Sequence, residues 1–437
     1  MITLKISGHL LALSANDPPF KEIAKTIQAA YRRKKKLWKA IEGAQTLADL
    51  KQAQHFYAAS PSVKLTYFLD EAKNSANKKT ESFGHYDALS KATNLFAPID
   101  EPVAVIGKRI NPTKGPRPYC SFGIKHKVGQ KIIAELVQQQ FAPKPYQYNV
   151  SGKGIQKAVV EIKKLVAAGY NSVLRLDVKK FFDSFHHDAL TTALPVDKGL
   201  LQHCAIGKHY DAEVVTQSTA QSFLSALEKY ADLVSHAGIP LGSAASPIIA
   251  SYFMSKLDVT LPEGAVCVNY VDDFLVLAKS DQLAAEAHKA LQSALNDLSV
   301  GDFELLEKPS SSPSKIFHFL GHTFEFGAGG KLHVTVTQAN FQKVSDFAAK
   351  EFFALEDSLN GGVALHNQAG YHALALTYSK HLYSWLATFS EVDNFVDLAS
   401  EIEDWIASYC HLAQVPLDTV KKVKLSKHRE ALEYSLS

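Results

Sequence analysis

The chain has 437 residues, 46% of them apolar, with a formal charge of +3, dimensions that suit two or three sub-domains folding without staples. Its four cysteines, Cys120, Cys204, Cys267 and Cys410, lie far apart with no CxxC pair. That spacing argues against a disulfide framework or structural zinc and for a reduced, cytoplasmic protein. In chain order, Met1 to Pro19 has only a brief apolar patch, Leu10 to Leu13, and no basic n-region, so neither a signal peptide nor a membrane span is expected there. Residues 1 to about 95 read mostly as helices; over Phe20 to Ile41, Ile23, Ile27, Ala30 and Tyr31 recur at helical spacing. Proline and glycine from Pro98 to Pro118 predict loops and a hairpin. Helices are expected from about Gly129 to Gln140 and from Gln156 to Ala168, the second closed by Gly169. Ser246-Pro247 reads as cap and first turn of a helix running over Ile248 to Leu257. Gly327, Gly329 and Gly330 make a turn into Leu332 to Val336, and from Gln338 the chain reads as helical to its end. Internal repeats and low-complexity sequence are absent.

Charge is unevenly spread. From Val103 to Lys180 there are fifteen Lys or Arg against three acids, Glu135, Glu161 and Asp177, an electrostatic track for phosphates. Glu391 to Asp404 is acidic and points to solvent or a basic partner. Two further basic runs, Arg32 to Lys36 and Lys421 to Arg429, read either as solvated helix faces or as phosphate contacts.

The chemistry concentrates in a pair of acids. In Val266 to Leu277, apolar runs flank Asp272 and Asp273, the pattern of a hairpin with both carboxylates at its tight turn. Burying an ionised carboxylate unpaired is costly, so the pair calls for a divalent cation or for solvent. About ninety-five residues upstream, Ser172 to Val178 alternates like a half-buried strand, with Val173, Arg175 and Asp177 on one side. Three carboxylates from neighbouring strands suit two Mg²⁺ ions about 3.5–4 Å apart, the clamp for in-line phosphoryl transfer. The bland alternative is a solvated turn plus a helix cap.

These residues carry a family resemblance. Tyr270-Val271-Asp272-Asp273 resembles the acidic box of reverse transcriptases, and Asp177 to Phe185 resembles their first palm motif. Gly238 to Pro247 is similar to the segment between the two. Arg109 to Ser121 resembles the basic fingers segment, Gly152-Lys153-Gly154-Ile155 the glycine motif, and Phe319 to Phe324 the primer-gripping hairpin. The six motifs fall in the family's order across residues 109 to 324 and look most like bacterial group II intron, retron and phage-defence enzymes. The retron signatures themselves are missing, which favours a stand-alone defence-type enzyme with a dedicated non-coding RNA.

The resemblance implies an α+β right-hand polymerase: a helical N-terminal extension (1–95), fingers (96–168), a palm (169–337, with a fingers insertion at about 186–236) and a helical thumb (338–437), where Tyr383 to Phe389 resembles the tryptophan-containing helix. It implies RNA-directed DNA synthesis with Mg²⁺ (two ions; Mn²⁺ as an alternative) held by Asp177, Val178, Asp272 and Asp273. Lys308 resembles the lysine that protonates pyrophosphate, with a plain surface lysine as the alternative. For the incoming deoxynucleotide it implies Lys114, Arg117, Phe182, Leu241, Gly242 and Tyr270. For template and primer it implies Arg109, Gly152, Gly154, Leu320 and Gly321. Phe182 would close off the sugar 2′-hydroxyl, or else belong to an aromatic core with Phe181 and Phe185. Leu241 departs from the family's usual glutamine and removes an amide donor and acceptor. That change leaves two alternatives beside templated synthesis: a template-independent or protein-primed polymerase, and a catalytically silent nucleic-acid-binding scaffold. A homo-oligomer or a second protein stays open, and histidines such as His186, His187, His318 and His322 are weak candidates for zinc.

Overall fold

A computed structural model describes residues 2–6, 9–13, 17–74, 82–111, 115–308, 316–327, 331–360 and 368–420. Lys114, the Gly329-Gly330 turn and the Lys421 to Arg429 run lie outside these residues. The chain divides into two compact units: residues 1–147, 178–260 and 290–306, and residues 148–177, 261–289 and 307–437.

The first unit opens on an element that the sequence pattern did not announce. Ile2–Ile6 and His9–Leu13 pair antiparallel, so the N-terminal region is not wholly helical; five-residue strands joined by two residues are too short for a period to stand out. Helices follow at Phe20–Glu42, Leu47–Ala59, Pro61–Asn74 and Phe83–Ala92. The first buries Ile23, Ile27, Ala30, Leu37 and Ile41, one face at helical spacing. The expected hairpin is present as Val103–Asn111 paired antiparallel with Gly115–Ser121, and Ala212–Val214 adds a parallel third strand. Behind these strands lie Phe223, Leu227, Tyr230 and Val234 of the helix Gln221–His236, with Tyr210, in one apolar cluster.

The next helix runs Ile124–Gln139, beginning five residues before the expected Gly129. Its start is set by tertiary structure. The Glu101 carboxylate accepts from the backbone N–H of Lys125 (3.1 Å) and of His126 (3.2 Å), taking the role of a cap from outside the helix. His126 Nδ1, 3.3 Å away, completes the arrangement, and although burial opposes its charge, these partners hold the Glu101 carboxyl below its usual range. The helix Ser246–Met254 corrects a second expectation. Ser246 is inside the helix rather than its cap: its hydroxyl donates to the Pro240 carbonyl at 2.8 Å, and the cap position is Ala245. The helix also ends at Met254, short of Leu257.

The second unit is built around the strands Ser172–Val178, Ala265–Tyr270 and Asp273–Ala278. Asp273–Ala278 is central and pairs antiparallel with both others. One face of this sheet, with Val268, Leu275 and Leu277, packs with Val159, Ile162 and Val166 of the helix Ile155–Ala167, which confirms the second expected helix to within a residue. A separate meander, Ile316–Phe319, His322–Phe326 and Leu332–Val336, joins the same core through Phe317, Phe324 and Val334. Three helices follow, Gln338–Asn360, Gln368–Thr388 and Phe395–Leu412, and a last short turn of helix at Leu417–Val420. Trp385 lies 4.8 Å from Phe389 and 6.5 Å from Phe341, so the tryptophan helix anchors this cluster.

All four cysteines are buried and free. Among the described residues no helix is long and apolar enough to cross a membrane.

Glu101→Ala is expected to lower stability by about 1–3 kcal/mol, since two helix-start N–H groups and His126 lose their acceptor together. The denaturant midpoint measures it, and an unchanged midpoint would show that water replaces the carboxylate without cost.

Candidate active site

Asp177, Asp272 and Asp273 each offer an oxygen to one cluster whose atoms lie within 4.8 Å of one another. Backbone register produces this. Asp177 stands opposite Asp273, and Asp273 stands opposite Tyr270, so the two strands flanking Asp273–Ala278 bring the upstream aspartate and the hairpin tip to one end of the sheet. Val271 and Asp272 form the turn, while Asp273 is already the first residue of its strand, a refinement of the expectation that both acids sit at the turn. The turn requires Val271 to adopt φ 59°, a left-handed conformation that β-branched residues resist.

Asn269 holds that strained turn, and its role is not apparent from the chain order. It is fully buried in an otherwise apolar strand, and its side-chain amide donates to the carbonyls of Val271 (3.0 Å) and Asp273 (3.3 Å). Its own carbonyl accepts from the Tyr148 N–H at 2.9 Å, which ties the segment before the glycine motif to the hairpin. A lone Asn inside Val-Cys-Val-Asn-Tyr-Val was the available signal. Tyr270 is half-buried beside the acids and packs on the unit's core.

Lys308 joins the acids. Its ammonium stands 2.8 Å from Asp177 Oδ1 and 2.5 Å from Asp273 Oδ1, so it is not a plain surface lysine. Its backbone N–H donates to the Arg175 carbonyl (2.9 Å), which fixes the residue alongside the Asp177 strand. Burial works against the Lys308 charge, but the two carboxylates outweigh it and hold the ammonium above its usual range. Arg175 also faces this end of the sheet. Burial pulls its guanidinium down while Asp273 and Asp177 support its charge, and its Nε is buried with no hydrogen-bond partner among the described residues. The period-two pattern had set Arg175 on the Asp177 side without suggesting a use for it.

Charge in the cluster is incompletely balanced. Asp272 is pushed up to about 6, first by burial and then by repulsion from Asp273 and Asp177, with Lys308 opposing. Three crowded carboxylates whose mutual repulsion outlasts a neighbouring lysine form an oxygen-rich donor set of the type hard divalent cations take. Among the described residues no other group of His, Cys, Asp and Glu is arranged to hold a metal. The candidate zinc histidines are otherwise engaged: His322 is buried, bonded to the Leu320 carbonyl at 3.0 Å and depressed to about 4 by burial, and His187 bonds the Gly238 carbonyl at 2.9 Å.

The first unit gathers several residues of the nucleotide set. Ile239 N–H donates to the Phe182 carbonyl (2.8 Å), Cys120 N–H to the Leu241 carbonyl (2.8 Å), and Leu241 N–H to the Tyr230 hydroxyl (2.8 Å). Gly242, at φ 99°, lies so close to the fingers strand that a Cβ there would come within 2.1 Å of the Cys120 carbonyl oxygen, so glycine is required by packing. Phe181 and Phe185 form a core with Phe253 and Phe303, whereas Phe182 stays half-buried, its ring 5.5 Å from Phe181. Arg117 is exposed on the strand Gly115–Ser121 and is felt electrostatically by Asp183, which burial raises and Lys180 and Arg117 oppose. Tyr230 and Asp183 are further residues that sequence reasoning passed over. The backbone of Arg109 lies in the strand Val103–Asn111; its side chain is outside the described residues.

In the second unit, Gly152 (φ 78°) and Gly154 (φ 106°) have open space where a Cβ would stand, and Gly154 caps the helix Ile155–Ala167. Leu320 (φ 49°) and Gly321 (φ 80°) form the tip of the Ile316–Phe326 hairpin, which the Thr337 N–H anchors through the Gly321 carbonyl at 3.0 Å.

Comparison with known proteins agrees with these motifs. The family model for reverse transcriptase (RNA-dependent DNA polymerase) matches residues 106–324, half of the chain. The chain belongs to the reverse transcriptase family, and its mixed helix and strand architecture is that of the right-hand polymerases. No curated protein sequence matches it. Among solved structures, the telomerase of Candida albicans in complex with the TWJ fragment of telomeric RNA is similar over 77% of this chain and 65% of that one, with 12% identity and a TM-score of 0.30. The chain thus spans just under two thirds of that telomerase chain.

Asp272 predicts a pH signature in the metal-chelated protein. Its folded pKa, about 6, lies above the ordinary carboxylate value, so protonation stabilises the fold below about pH 4 and that contribution is lost as pH rises through 6. Asp272→Asn should therefore raise the melting temperature above pH 6, by the equivalent of about 1–2 kcal/mol after solvent screening, and the gain should vanish near pH 4. Thermal melts in chelator from pH 4 to 8 measure this; a less stable variant at pH 7.5 would contradict it.

Proposed function

We propose that the protein is an RNA-directed DNA polymerase that joins deoxynucleotides by metal-assisted phosphoryl transfer. The observation that carries this reading is the clustering of Asp177, Asp272 and Asp273 within 4.8 Å at the tip of the central hairpin, in a chain of this family. In this reading Asp177, Asp272 and Asp273, with the Val178 backbone, hold two divalent cations, Mg²⁺ or alternatively Mn²⁺. When bound, they lower the pKa of the primer hydroxyl and offset charge on the transferring phosphate.

The remaining roles belong to side chains. We assign Lys308, which the acids keep protonated, the role of proton donor to the departing pyrophosphate. Arg117, exposed and forked, suits bidentate contact with the incoming triphosphate, and we assign Lys114 the same task. Phe182, half-buried at the edge of the Phe181 core, is assigned the selection against a ribose 2′-hydroxyl by bulk. We assign Tyr270 and Gly242 each a part in nucleotide binding, and Arg109, Gly152, Gly154, Leu320 and Gly321 contact with template and primer. We assign residues 1–95 to the N-terminal extension, 96–168 to the fingers, 169–337 to the palm and 338–437 to the thumb. A dedicated non-coding RNA as template, in a bacterial cytoplasm and in defence against phage, is the setting we infer.

Leu241 favours a second reading. It packs against the apolar cluster of Val103, Val105 and Cys120 and presents no amide, so template-independent or protein-primed synthesis is the competitor.

Asn substitution of any one of the three acids is expected to cut DNA synthesis by about 10²–10³-fold, as expected when a charge-stabilising group is removed, while leaving the fold intact. Lys308→Met should lower the rate by about 10²–10⁴-fold, the range of a lost proton donor. Labelled deoxynucleotide incorporation by protein purified with its bound nucleic acid tests both. Product abolished by RNase supports an RNA template, product that survives RNase supports the second reading, and full activity of the Asp variants refutes a polymerase.

A further inference from the structure

We propose that the exposed face of the helix Phe20–Glu42 is a docking surface for the phosphate backbone of base-paired RNA. The inference rests on the polymerase reading for its choice of RNA and deepens it by naming where a structured RNA is held.

At 3.6 residues per turn, Lys21, Lys25, Arg32, Lys35, Lys36 and Lys39 fall within an arc of about 100° on one side of the helix, with Gln28 among them. All six are exposed. The opposite side carries the buried residues Ile23, Ile27, Ala30, Leu37 and Ile41. The stripe extends about 27 Å along the axis, with a cation on nearly every turn of about 5.4 Å.

Pairing separates this stripe from an ordinary solvated face. Lys34, the one member of the Arg32 to Lys36 run that turns inward, is neutralised: its ammonium lies 3.2 Å from Glu135 and 4.0 Å above the Tyr67 ring. Among the described residues none of the six outward cations has an acidic partner; Arg32 Nε reaches only the Gln28 carbonyl, at 3.4 Å. The helix's two acids, Glu22 and Glu42, lie in its first turn and at its last residue, bordering the arc on either side, and among the described residues neither forms an ion pair with a cation of the stripe. An uncompensated row of this length sets up a field that a linear polyanion matches better than a compact anion.

The chemistry of the face narrows the partner. A membrane-surface helix needs its apolar side for lipid, and here that side is packed in the protein. A protein partner would be anchored by aromatic or apolar side chains, which the stripe lacks. Unpaired bases would call for exposed aromatic rings to stack on, and the stripe has none. Sequence-independent contact with phosphates of a double helix remains, and on the polymerase reading we take that duplex to be a stem of the template RNA.

The test compares wild type with the Lys25→Gln, Arg32→Gln, Lys36→Gln, Lys39→Gln variant, whose exposed positions leave the fold unaffected, as a thermal melt checks. Affinity is measured by fluorescence anisotropy against an RNA hairpin, oligouridylate, a DNA hairpin of the same sequence and phosphatidylserine vesicles. The variant should bind the RNA hairpin at least tenfold more weakly at 0.1 M salt, and its slope of log affinity against log salt should shrink by about three to four. An unchanged affinity and slope, or a loss confined to oligouridylate or vesicles, overturns the proposal, and a larger loss on the DNA hairpin overturns the assignment to RNA. The two readings fail separately. Extension of a short, unstructured primer-template should survive the four substitutions, and hairpin binding should survive Asp272→Asn, so an inactive wild type that still binds the hairpin through this stripe sinks only the polymerase.

Discussion

Repulsion among three carboxylates held within 4.8 Å is the constraint around which this sheet end is organised. Left to themselves such groups would splay apart or protonate, and Asp272 is pushed up first by burial and then by this repulsion. They are kept together by backbone hydrogen bonding, which fixes Asp177 across from Asp273, and by a turn that Asn269 clamps from within the core. Lys308 takes up part of the charge. The arrangement follows the general pattern of functional sites, in which locally unfavourable geometry is maintained by well-packed surroundings.

A similar division holds in the first unit. The loop carrying Leu241 and Gly242 is tied by main-chain bonds to Cys120 and Phe182 and by the Tyr230 hydroxyl to Leu241. None of these ties uses the Leu241 side chain. These main-chain ties do not depend on the side chain at 241, while the Leu241 side chain itself packs on the cluster of Val103, Val105 and Cys120.

Much of the site was legible in sequence because its signals are local. Acids between apolar runs identify a hairpin tip, and period-two alternation puts Asp177 on a strand edge beside it. The motif order then supplied the family, which the match over residues 106–324 bears out. What escaped was set by contacts distant in the chain. The helix at Ile124 begins where Glu101 reaches it, and Ser246 was mistaken for a cap because its real acceptor, the Pro240 carbonyl, belongs to a turn that only the fold creates. The strands Ile2–Ile6 and His9–Leu13 were missed for the opposite reason, being too short to declare a period. Asn269 was overlooked since a buried amide looks like a defect in a strand until its acceptors are known.

The bridge from Lys308 to Asp177 and Asp273 has a bearing on how the protein matures. In small domains built on zinc thiolates, the metal supplies the folding energy and the empty chain is unfolded. Here a share of the counter-charge is encoded in the chain and arrives with the backbone, since Lys308 is anchored to the same strand as Asp177. On the proposed function, folding and metal loading would be separable events, and chelation would silence the protein without exposing its core.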